Sequence, residues 1–541
     1  MSGSPFHLPP MFGKAVGRIF FKWLFFSAVS AMSFWGGAGE VLIVDPSLAA
    51  PSDHPSSCFS SLSEALLSTS PGDTILLAPG RYDSAVERFP ITIDKPVTIR
   101  SLNGPGETVF VGPQREEVFL ITAPGAELRG ITIQHMGTGI AVMADGVRII
   151  ENRIELLPSL PWVFTCGVWL VGAHHAQITG NEFIDCGLAI AGPRPSPGDI
   201  DKPSLTGIFL VGEDRRWFTT HLIEGNLVNG RPLFYLADST GVIVPETAGQ
   251  VIIAGCSDLT ISNLKITDAS VGVQIVHSRD IRVRDSELAE NSLFGLYIAY
   301  TSGCQASGVQ ALRNNHGIDL RASTRSLVSG CTLAGNEQGL FLSHTEDCLV
   351  SNCTISENGV GIFSGSSTGD VLFGNSIGGN RHGVLAQEAN GLQLVENHIV
   401  GNGISGVRLS AGCRDSAIVG NHFEENATNV LLAGTNNIVL WENAIIGAGL
   451  TGVYLWDSVG VNVRGNRFSG NALDLDAVGA TRGVVLRLNR FVGDGVSVMN
   501  EAEGELDARF NWWGTDGIER AAARAEGKVA LTPILAEGSR F

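Results

Sequence analysis

The stretch GNSIGGNRHGVLA, residues 374–386, indicates the fold of this chain. It holds four glycines and two asparagines in thirteen residues. A helix would lose about 1 kcal/mol at each glycine relative to alanine. A hairpin needs one turn, whereas this stretch has two Gly/Asn turns within ten residues. The stretch is therefore best read as part of a repeat.

The repeat is visible as a glycine followed by an apolar residue, any residue, and an apolar or small residue. It recurs every 22 or 23 residues at Gly272, Gly295, Gly317, Gly339, Gly361, Gly383, Gly406, Asn429 and Gly452. Asparagine recurs at two further positions of each period, and Cys331 and Cys353 fill one of these positions in earlier repeats. Few architectures have this period.

Each repeat contains three short apolar strands separated by Gly/Asn turns, and strands this short are not stable alone. Stacked coil on coil about 4.8 Å apart, they predict an all-β, single-stranded, right-handed parallel β-helix whose coils bury one another's inward aliphatics. Asparagines at one corner can pair their side-chain amides from coil to coil. A leucine-rich repeat shares the period, but its L-x-x-L-x-L spacing is missing.

The chain divides into five predicted segments. Residues 1–38 are a signal peptide, 39–105 an N-terminal cap with the first coils, 106–260 irregular coils with loop insertions, 261–500 regular repeats and 501–541 a C-terminal cap. The segment 60–68 predicts a helix that closes one end of the bore, and Trp512 and Trp513 would close the other. A Pro-rich insertion at 192–204 belongs on the outside of the solenoid.

The N-terminus predicts export. A basic flank (Lys14, Arg18, Lys22) precedes the apolar WLFFSAVSAMSFW and the small residues GGAGE. This pattern is typical of a secretory signal peptide cleaved near Ala38. The alternative is an uncleaved membrane anchor, although the apolar run is short for a bilayer, which needs about 20 residues. We expect a periplasmic, cell-surface or extracellular protein.

Charge and cysteine content restrict the partners. The formal charge of −18 argues against nucleic acid and against simple electrostatic capture of polyanions. Bound cations such as Ca²⁺ could invert the local field. The nine cysteines include no C-x-x-C metal pattern, and for the pairs Cys166/Cys186 and Cys331/Cys353 we expect buried free thiols rather than disulfides.

Two phrases carry a family resemblance. PGDTILLAPGRY, residues 71–82, resembles the opening coil of extracellular pectin-lyase-like β-helices. Residues 221–264 resemble a phrase of NosD-type β-helix proteins. The matching residues are Asn229, Gly230, Arg231, Pro232, Tyr235, Ala248, Gly249 and Gln250.

The resemblance covers roughly residues 220–500. It implies an exported repeat protein of the NosD-like or carbohydrate-binding and sugar-hydrolase type. Members of these families include a periplasmic accessory of copper-enzyme maturation that works with an ABC transporter. This chain departs from that role because it has no Met-rich or His-rich copper motif.

The position two residues after each marker glycine should point outward. Aromatic and acidic residues recur there and predict a ligand-binding column, consisting of Trp169, Phe209, Tyr297, Asp319, Phe341, Phe363 and Tyr454. Exposed apolar columns mark binding surfaces. The column would bind a polysaccharide or an envelope protein complex, unless a loop covers it.

Two histidines form the candidate metal site. His398 and His422 follow ladder asparagines in adjacent coils, so their imidazoles should be outward neighbours. Two stacked imidazoles could hold copper or zinc, but the pattern supplies no third ligand in register.

Catalytic signatures of β-helix enzymes are absent from the sequence. We therefore predict a non-catalytic binding protein. The alternatives are a polysaccharide lyase, C5-epimerase or glycoside hydrolase acting beside the insertions at 192–204 and 210–250, and the copper-maturation accessory. Clustered acidic and basic side chains in that cleft would favour an enzyme.

Overall fold

The computed structural model of the protein describes residues 39–48, 57–114, 116–157, 165–193, 212–493, 495–515 and 517–536. These residues form a parallel β-solenoid in which nearly every strand pairs with the equivalent strand of the next coil. The predicted β-helix is confirmed. The proposed signal peptide and most of the Pro-rich segment lie outside the described residues.

The solenoid has an N-terminal section built from three sheets. Sheet A contains Val41–Val44, Cys58–Phe59, Thr74–Leu77, Thr98–Ser101, Glu127–Arg129, Arg148–Ile150, Gln177–Thr179 and Leu222–Glu224. Sheet B contains Gly80–Tyr82, Thr108–Val111, Thr132–His135, Arg153–Leu156, Glu182–Ile184 and Leu227–Val228. Sheet C contains Ile91–Ile93, Phe119–Ile121, Thr138–Val142, Cys166–Val171 and Leu188–Ala191.

The C-terminal section is also built from three sheets. Sheet D contains Arg231–Ala237, Gln250–Ala254, Val271–Val276, Phe294–Ala299, His316–Arg321, Gln338–Ser343, Val360–Gly365, His382–Gln387, Ser405–Ser410, Thr428–Ala433, Thr451–Trp456, Leu473–Val478, Val498–Asn500 and Ala525–Gly527. Sheet E contains Ser257–Ser262, Arg279–Arg284, Gln305–Ser307, Leu327–Ser329, Leu349–Ser351, Val371–Phe373, Gln393–Val395, Ala417–Val419, Val439–Trp441, Asn462–Arg464, Val485–Arg487, Leu506–Asp507 and Val529–Ala530. Sheet F contains Lys265–Thr267, Glu287–Ala289, Gln310–Leu312, Thr332–Ala334, Thr354–Ser356, Ser376–Gly378, His398–Val400, His422–Glu424, Ala444–Ile446, Arg467–Ser469 and Arg490–Val492.

The core is the bore of the solenoid. In the three-residue strands of sheet E the middle side chain points inward, as in Leu372, Leu394 and Leu440, which have no exposed surface. The flanking residues point outward because strand side chains alternate. Inward aliphatics from successive coils form one continuous hydrophobic cluster.

Asparagine ladders fix the corners. Asn336 donates its amide to the Oδ1 atom of Asn358 at 3.0 Å, and Asn358 donates to Asn380 at 2.9 Å. Each Oδ1 also accepts the backbone N–H of the preceding ladder residue. The ladders therefore satisfy buried backbone groups at the turns, where no strand neighbour is available.

The marker glycines are required because the next coil approaches closely. A Cβ atom on Gly339 would lie 2.6 Å from the carbonyl oxygen of Gly361 and 2.9 Å from the Nδ2 atom of Asn358. No side chain fits there without displacing backbone or ladder atoms. Close packing between adjacent coils therefore explains why glycine recurs at this position of the repeat.

Short helices and aromatic rings occupy the ends. The predicted capping helix spans Leu62–Ser68, and the Ser61 side chain caps its N-terminus. Two further helices span Arg216–Thr219 and Ile518–Ala522. At the C-terminal end Trp513 is fully buried and stacks on Phe491 at 4.7 Å. None of the helices in the described ranges is long and apolar enough to cross a membrane.

The two sections meet at an irregular junction. The Asn229-Gly230 turn, with φ of 51° and 75°, reverses the chain so that Leu227–Val228 pairs antiparallel with the start of Arg231–Ala237. Within the described residues, no backbone strand continues the edge strand Leu188–Ala191 of sheet C.

Two glutamine amides complete that open edge. Gln250 accepts the N–H of Leu188 at 3.0 Å and donates to its carbonyl at 2.6 Å. Gln274 does the same for Ile190, at 3.3 and 2.7 Å. Each amide takes the hydrogen-bonding position of one peptide unit of a neighbouring strand, which protects the edge.

All nine cysteines are free thiols, and eight of them are buried. This agrees with the expectation from their positions. Cys353 stands at the head of an asparagine ladder, where its backbone N–H donates to the Oδ1 atom of Asn375 at 3.0 Å.

Candidate functional site

The predicted column on sheet D exists, but most of it is buried. Tyr297, Asp319, Phe341 and Phe363 lie side by side on consecutive strands. Their relative exposures are 0%, 0%, 6% and 8%. The prediction of an open column is therefore wrong for these four residues.

Part of the burial of these four side chains comes from contacts within the column itself. The guanidinium of Arg321 lies 4.7 Å from the ring centre of Phe341, and the Phe341 and Phe363 rings stack at 4.8 Å. The Phe363 ring in turn lies over Gly365, whose missing Cβ would be 2.6 Å from it. Column members thus cover one another.

The remaining members of the predicted column lie apart from these four. Trp169 is half-buried on sheet C, and Tyr454 is half-buried near the C-terminal end of sheet D. Phe209 lies outside the described residues. A shared ligand-binding role for the seven stays a prediction.

At the junction, four polar side chains form a buried group that we call the junction cluster: Tyr297, His316, Asp319 and Arg321. Arg321 donates from Nε and a terminal nitrogen to the two carboxylate oxygens of Asp319, both at 2.8 Å. The Nδ1 atom of His316 lies 2.7 Å from the same carboxylate. All four residues are at most 5% exposed.

The electrostatics of the cluster keep Asp319 ionised. Burial raises the pKa of its carboxyl, but the Arg321 guanidinium and the hydrogen bond from His316 outweigh burial and hold that pKa below its usual range. Burial also raises the pKa of Tyr297 far above its ordinary value, so the phenol stays neutral. Because an ionised carboxylate only accepts, His316 donates from Nδ1.

Two atoms of the junction cluster, the Tyr297 hydroxyl and the Nε2 atom of His316, have no hydrogen-bond partner among the residues that the structure describes. A neutral His316 would therefore present an acceptor at Nε2. An acid and base set is thus present, but it is sealed. A polymer cannot contact it in this arrangement, so the cluster functions as a buried ion group of the fold rather than as an open active site.

Beside the cluster lies an open pocket of about 680 Å³ at the corner between sheets D and E, which we call the corner pocket. Arg215, His277, Arg279 and Tyr300 contribute its large side chains. The His277 and Tyr300 rings stack at 4.9 Å with an interplanar angle of 6°. The other lining residues are Gly255, Cys256, Ser257, Ser278, Thr301, Ser302 and Ala322.

One wall of the corner pocket comes from the chain that follows the Pro-rich insertion. The Gly212 carbonyl accepts a hydrogen bond from the Nε2 atom of His277 at 2.7 Å. Arg215 is fixed by Asp238 and by the carbonyl of Gly255 at 3.1 Å. The pocket therefore forms where an insertion meets the regular coils.

The two guanidinium groups of the pocket differ in their environment. Arg215 is neutralised by its ion pair with Asp238. Arg279 is exposed and makes no ion pair with any residue in the described ranges. Burial lowers the pKa of His277, so its ring is neutral at pH 7, and Arg279 is the lining guanidinium that has no ion-pair partner among the described residues.

A second surface, missed by the sequence analysis, runs along sheet E. We call it the apolar ribbon, and its outward side chains are Leu349, Val371, Phe373, Val395, Ala417, Val419, Val439 and Trp441. Leu349, Phe373 and Trp441 are 38%, 39% and 45% exposed. A sequence signal does exist, because four of these residues lie two positions before a ladder asparagine.

The candidate metal residues are neighbours, as predicted. His398 pairs with His422 on sheet F, and their rings stack at 4.8 Å. The Nε2 atom of His422 lies 3.0 Å from the Glu424 carboxylate. Within the described ranges, however, no three His, Cys, Asp or Glu side chains stand close enough to hold a metal ion. A metal-binding role for His398 and His422 stays a prediction.

Comparisons with protein families agree with the architecture. Residues 372–512 match the family described as "Right handed beta helix region". Residues 224–406 match the family described as "Periplasmic copper-binding protein (NosD)". The chain is a right-handed β-helix protein. No curated protein matches it in sequence.

Solved structures similar to this β-helix protein share low identity with it. The A-module of mannuronan C-5 epimerase AlgE4 from Azotobacter vinelandii is 14% identical, with a TM-score of 0.36 over 76% of this chain and 90% of that one. The periplasmic alginate epimerase AlgG is 12% identical, with a TM-score of 0.33 over 80% and 85%. The surface adhesin PfbA of Streptococcus pneumoniae is 9% identical, with a TM-score of 0.28 over 81% and 82%. Likeness at this level does not carry a substrate or partner over to this chain.

Proposed function

We propose that this chain is an exported β-helix protein that binds a glycan in the corner pocket and does not modify it. The observation that carries the proposal is the pocket itself, in which an insertion and the regular coils place guanidinium groups beside a stacked His277–Tyr300 pair. Export is supported by the basic and apolar N-terminal sequence and by the periplasmic description of the NosD family.

The dimensions and chemistry of the corner pocket suit a saccharide. Its volume of about 680 Å³ lies within the ~300–1,000 Å³ of ordinary ligand sites. Arg279 supplies several donors that can bind hydroxyl or carboxylate oxygens. The aromatic pair adds an apolar surface bordered by hydroxyl groups, which matches the mixed character of a sugar ring.

The alternative functions have less support in the described residues. The acid and base set of the junction cluster is sealed, and the open corner pocket presents His277, Arg279 and Tyr300 without a carboxylate among its described lining residues. The copper-accessory role would need a ligand set, and the described residues assemble none. A binding role needs only the pocket.

The test is retention on an array of neutral and acidic glycans, with product release monitored in parallel. We expect residues 39–541 to retain a subset of glycans without generating new reducing or unsaturated ends. Arg279→Ala should weaken retention about tenfold, because a hydrogen bond to a charged group contributes about 1.5–3 kcal/mol.

Arg284→Ala is the matched control, since Arg284 is an exposed arginine on the same strand that does not line the pocket. Equal losses in the two variants would contradict a specific role for the pocket. Released products would show an enzyme, and the absence of any retention would contradict glycan binding.

A further inference from the structure

The apolar ribbon is not required by the core. On each of its strands the bore is filled by the middle residue, such as Val350, Leu372 or Ile418, each fully buried. Elsewhere the outer face of sheet E is mostly polar, with Arg284 before the ribbon and Arg464 after it, and the isolated outward apolar residues Leu327 and Val485 are only half-exposed. Exposed apolar side chains are therefore concentrated in the coils between Leu349 and Trp441, where Ser351 and Gln393 are the polar residues among the outward positions.

The ribbon is narrow and long. Each coil contributes two outward positions, which lie about 7 Å apart along the strand. The five strands from Leu349–Ser351 to Val439–Trp441 span about 19 Å at the spacing between coils. A stable interface with a globular protein buries about 800 Å² on each partner. A ribbon two side chains wide fits an extended chain better.

A polar row runs from the corner pocket along one edge of the ribbon. Arg279 and Ser302, which line the pocket, begin a row of bridged residues along the corner between sheets D and E. The row continues coil by coil through Thr324, Glu346, Thr368, Asn390, Arg414 and Asn436. It gives the ribbon a polar edge with hydrogen-bonding groups in each coil.

The Trp441 ring lies against the surface of the next coil and remains partly exposed. Its indole lies against Gly465 of the next coil, where a Cβ atom would be 3.5 Å from Cδ1. The ring can therefore rest on the coil surface while 45% of the residue stays exposed. A ring in this position offers an apolar face to a ligand with C–H groups on one side and polar groups on its edges.

We propose that the apolar ribbon is the extended subsite for the same glycan whose end is held in the corner pocket. This inference rests on the proposed function. The occupied length, from the strand of Arg279 to that of Trp441, covers seven coil spacings, or about 34 Å. The ligand is therefore an oligo- or polysaccharide chain that lies parallel to the solenoid axis.

The experiment measures affinity against chain length by calorimetry. The probes are a ladder of oligogalacturonides and a ladder of cello-oligosaccharides, each from disaccharide to decasaccharide. We expect affinity to rise with length in the ladder that binds. The double variant Phe373→Ala/Trp441→Ala should lower affinity for the longest probe at least tenfold, to the level of the shortest one.

The matched control is Trp456→Ala, because Trp456 is 52% exposed but lies on sheet D outside the ribbon. It should leave both affinities unchanged. The ribbon variant should also leave the shortest probe unaffected, whereas Arg279→Ala should weaken every length.

The two proposals fail in different ways. Affinity that does not depend on length, or a ribbon variant indistinguishable from the wild type, overturns the ribbon and leaves the pocket standing. If Arg279→Ala weakens binding of the shortest probe and the ribbon variant does not, the result supports the pocket independently of the ribbon. If neither ladder binds to the wild type and no glycan is retained on the array, both proposals are wrong.

Discussion

At the residue scale, the junction cluster shows how strongly a side chain's role depends on burial. Asp319 accepts hydrogen bonds from both Arg321 and His316, and none of the three side chains is more than 7% exposed. A buried charge that loses its partner is costly, whereas the intact pair compensates much of its own desolvation. The cluster is therefore sensitive to single substitutions.

Asp319→Asn should destabilise the protein by about 3–5 kcal/mol, because it leaves the buried Arg321 charge uncompensated. Urea denaturation followed by circular dichroism measures the change. Asp258→Asn, which breaks the exposed pair with Arg282, should have little effect. A small change in Asp319→Asn would contradict the assignment of a buried ion pair.

The same variant should alter the response to acid. The folded-state pKa of Asp319 is lowered, so its stabilising contribution is present above the unfolded-state value of about 3.9. That contribution disappears as the pH falls through the folded-state pKa. We expect wild-type stability to fall in that range, and this component should be missing from Asp319→Asn.

At the element scale, the asparagine ladder is the unit that joins one coil to the next. Asn358 donates to Leu333 and Asn380, and its Oδ1 atom accepts two N–H groups from Asn336. One side chain therefore satisfies buried groups in both adjacent coils. Strand pairing alone would leave these corner groups without partners.

Asn358→Ala should lower the free energy of unfolding by roughly 2–4 kcal/mol, since it leaves several buried donors and acceptors unpaired. Chemical denaturation provides the measurement. Asn462→Ala is the control, because Asn462 is exposed on the outer face of sheet E. Similar effects of the two substitutions would show that the ladder adds no specific stability.

At the scale of the whole molecule, the two sections are joined by the amides of Gln250 and Gln274. Their side chains occupy the hydrogen-bonding positions of a neighbouring strand at the edge of sheet C. Nearby, the Ser292 hydroxyl donates to the carbonyl of Thr165 at 2.9 Å. The end of sheet C therefore lies against the first strands of sheet D, close to the junction cluster.

The double variant Gln250→Leu/Gln274→Leu should open this edge. Leu188 and Ile190 would lose their hydrogen bonds, so their amide hydrogens should exchange markedly faster in hydrogen exchange measurements. Amides of the sheet E strand Val371–Phe373 should be unaffected. Gln393→Leu, at an exposed position on sheet E, is the control. Unchanged exchange at Leu188 and Ile190 would contradict the capping role.

Much of the site could not be predicted from sequence. The position two residues after each marker glycine predicts that Tyr297, Asp319, Phe341 and Phe363 lie side by side on consecutive strands, because the register follows from the period. Their exposure was not predictable, since it depends on neighbouring side chains and on segments far away in the chain. The apolar ribbon could have been found by reading the position two residues before each ladder asparagine.

The sequence by itself determined the β-helix, its register, its asparagine ladders and its glycine slots. Each of these depends only on contacts between equivalent positions in adjacent coils, so a fixed period specifies them. Tertiary structure alone decided which outward faces stay open and where a pocket forms. The corner pocket needs Arg215 from an insertion and Arg279 from a regular coil. Such contacts join segments that do not belong to the same repeat, so the periodicity of the sequence cannot predict them.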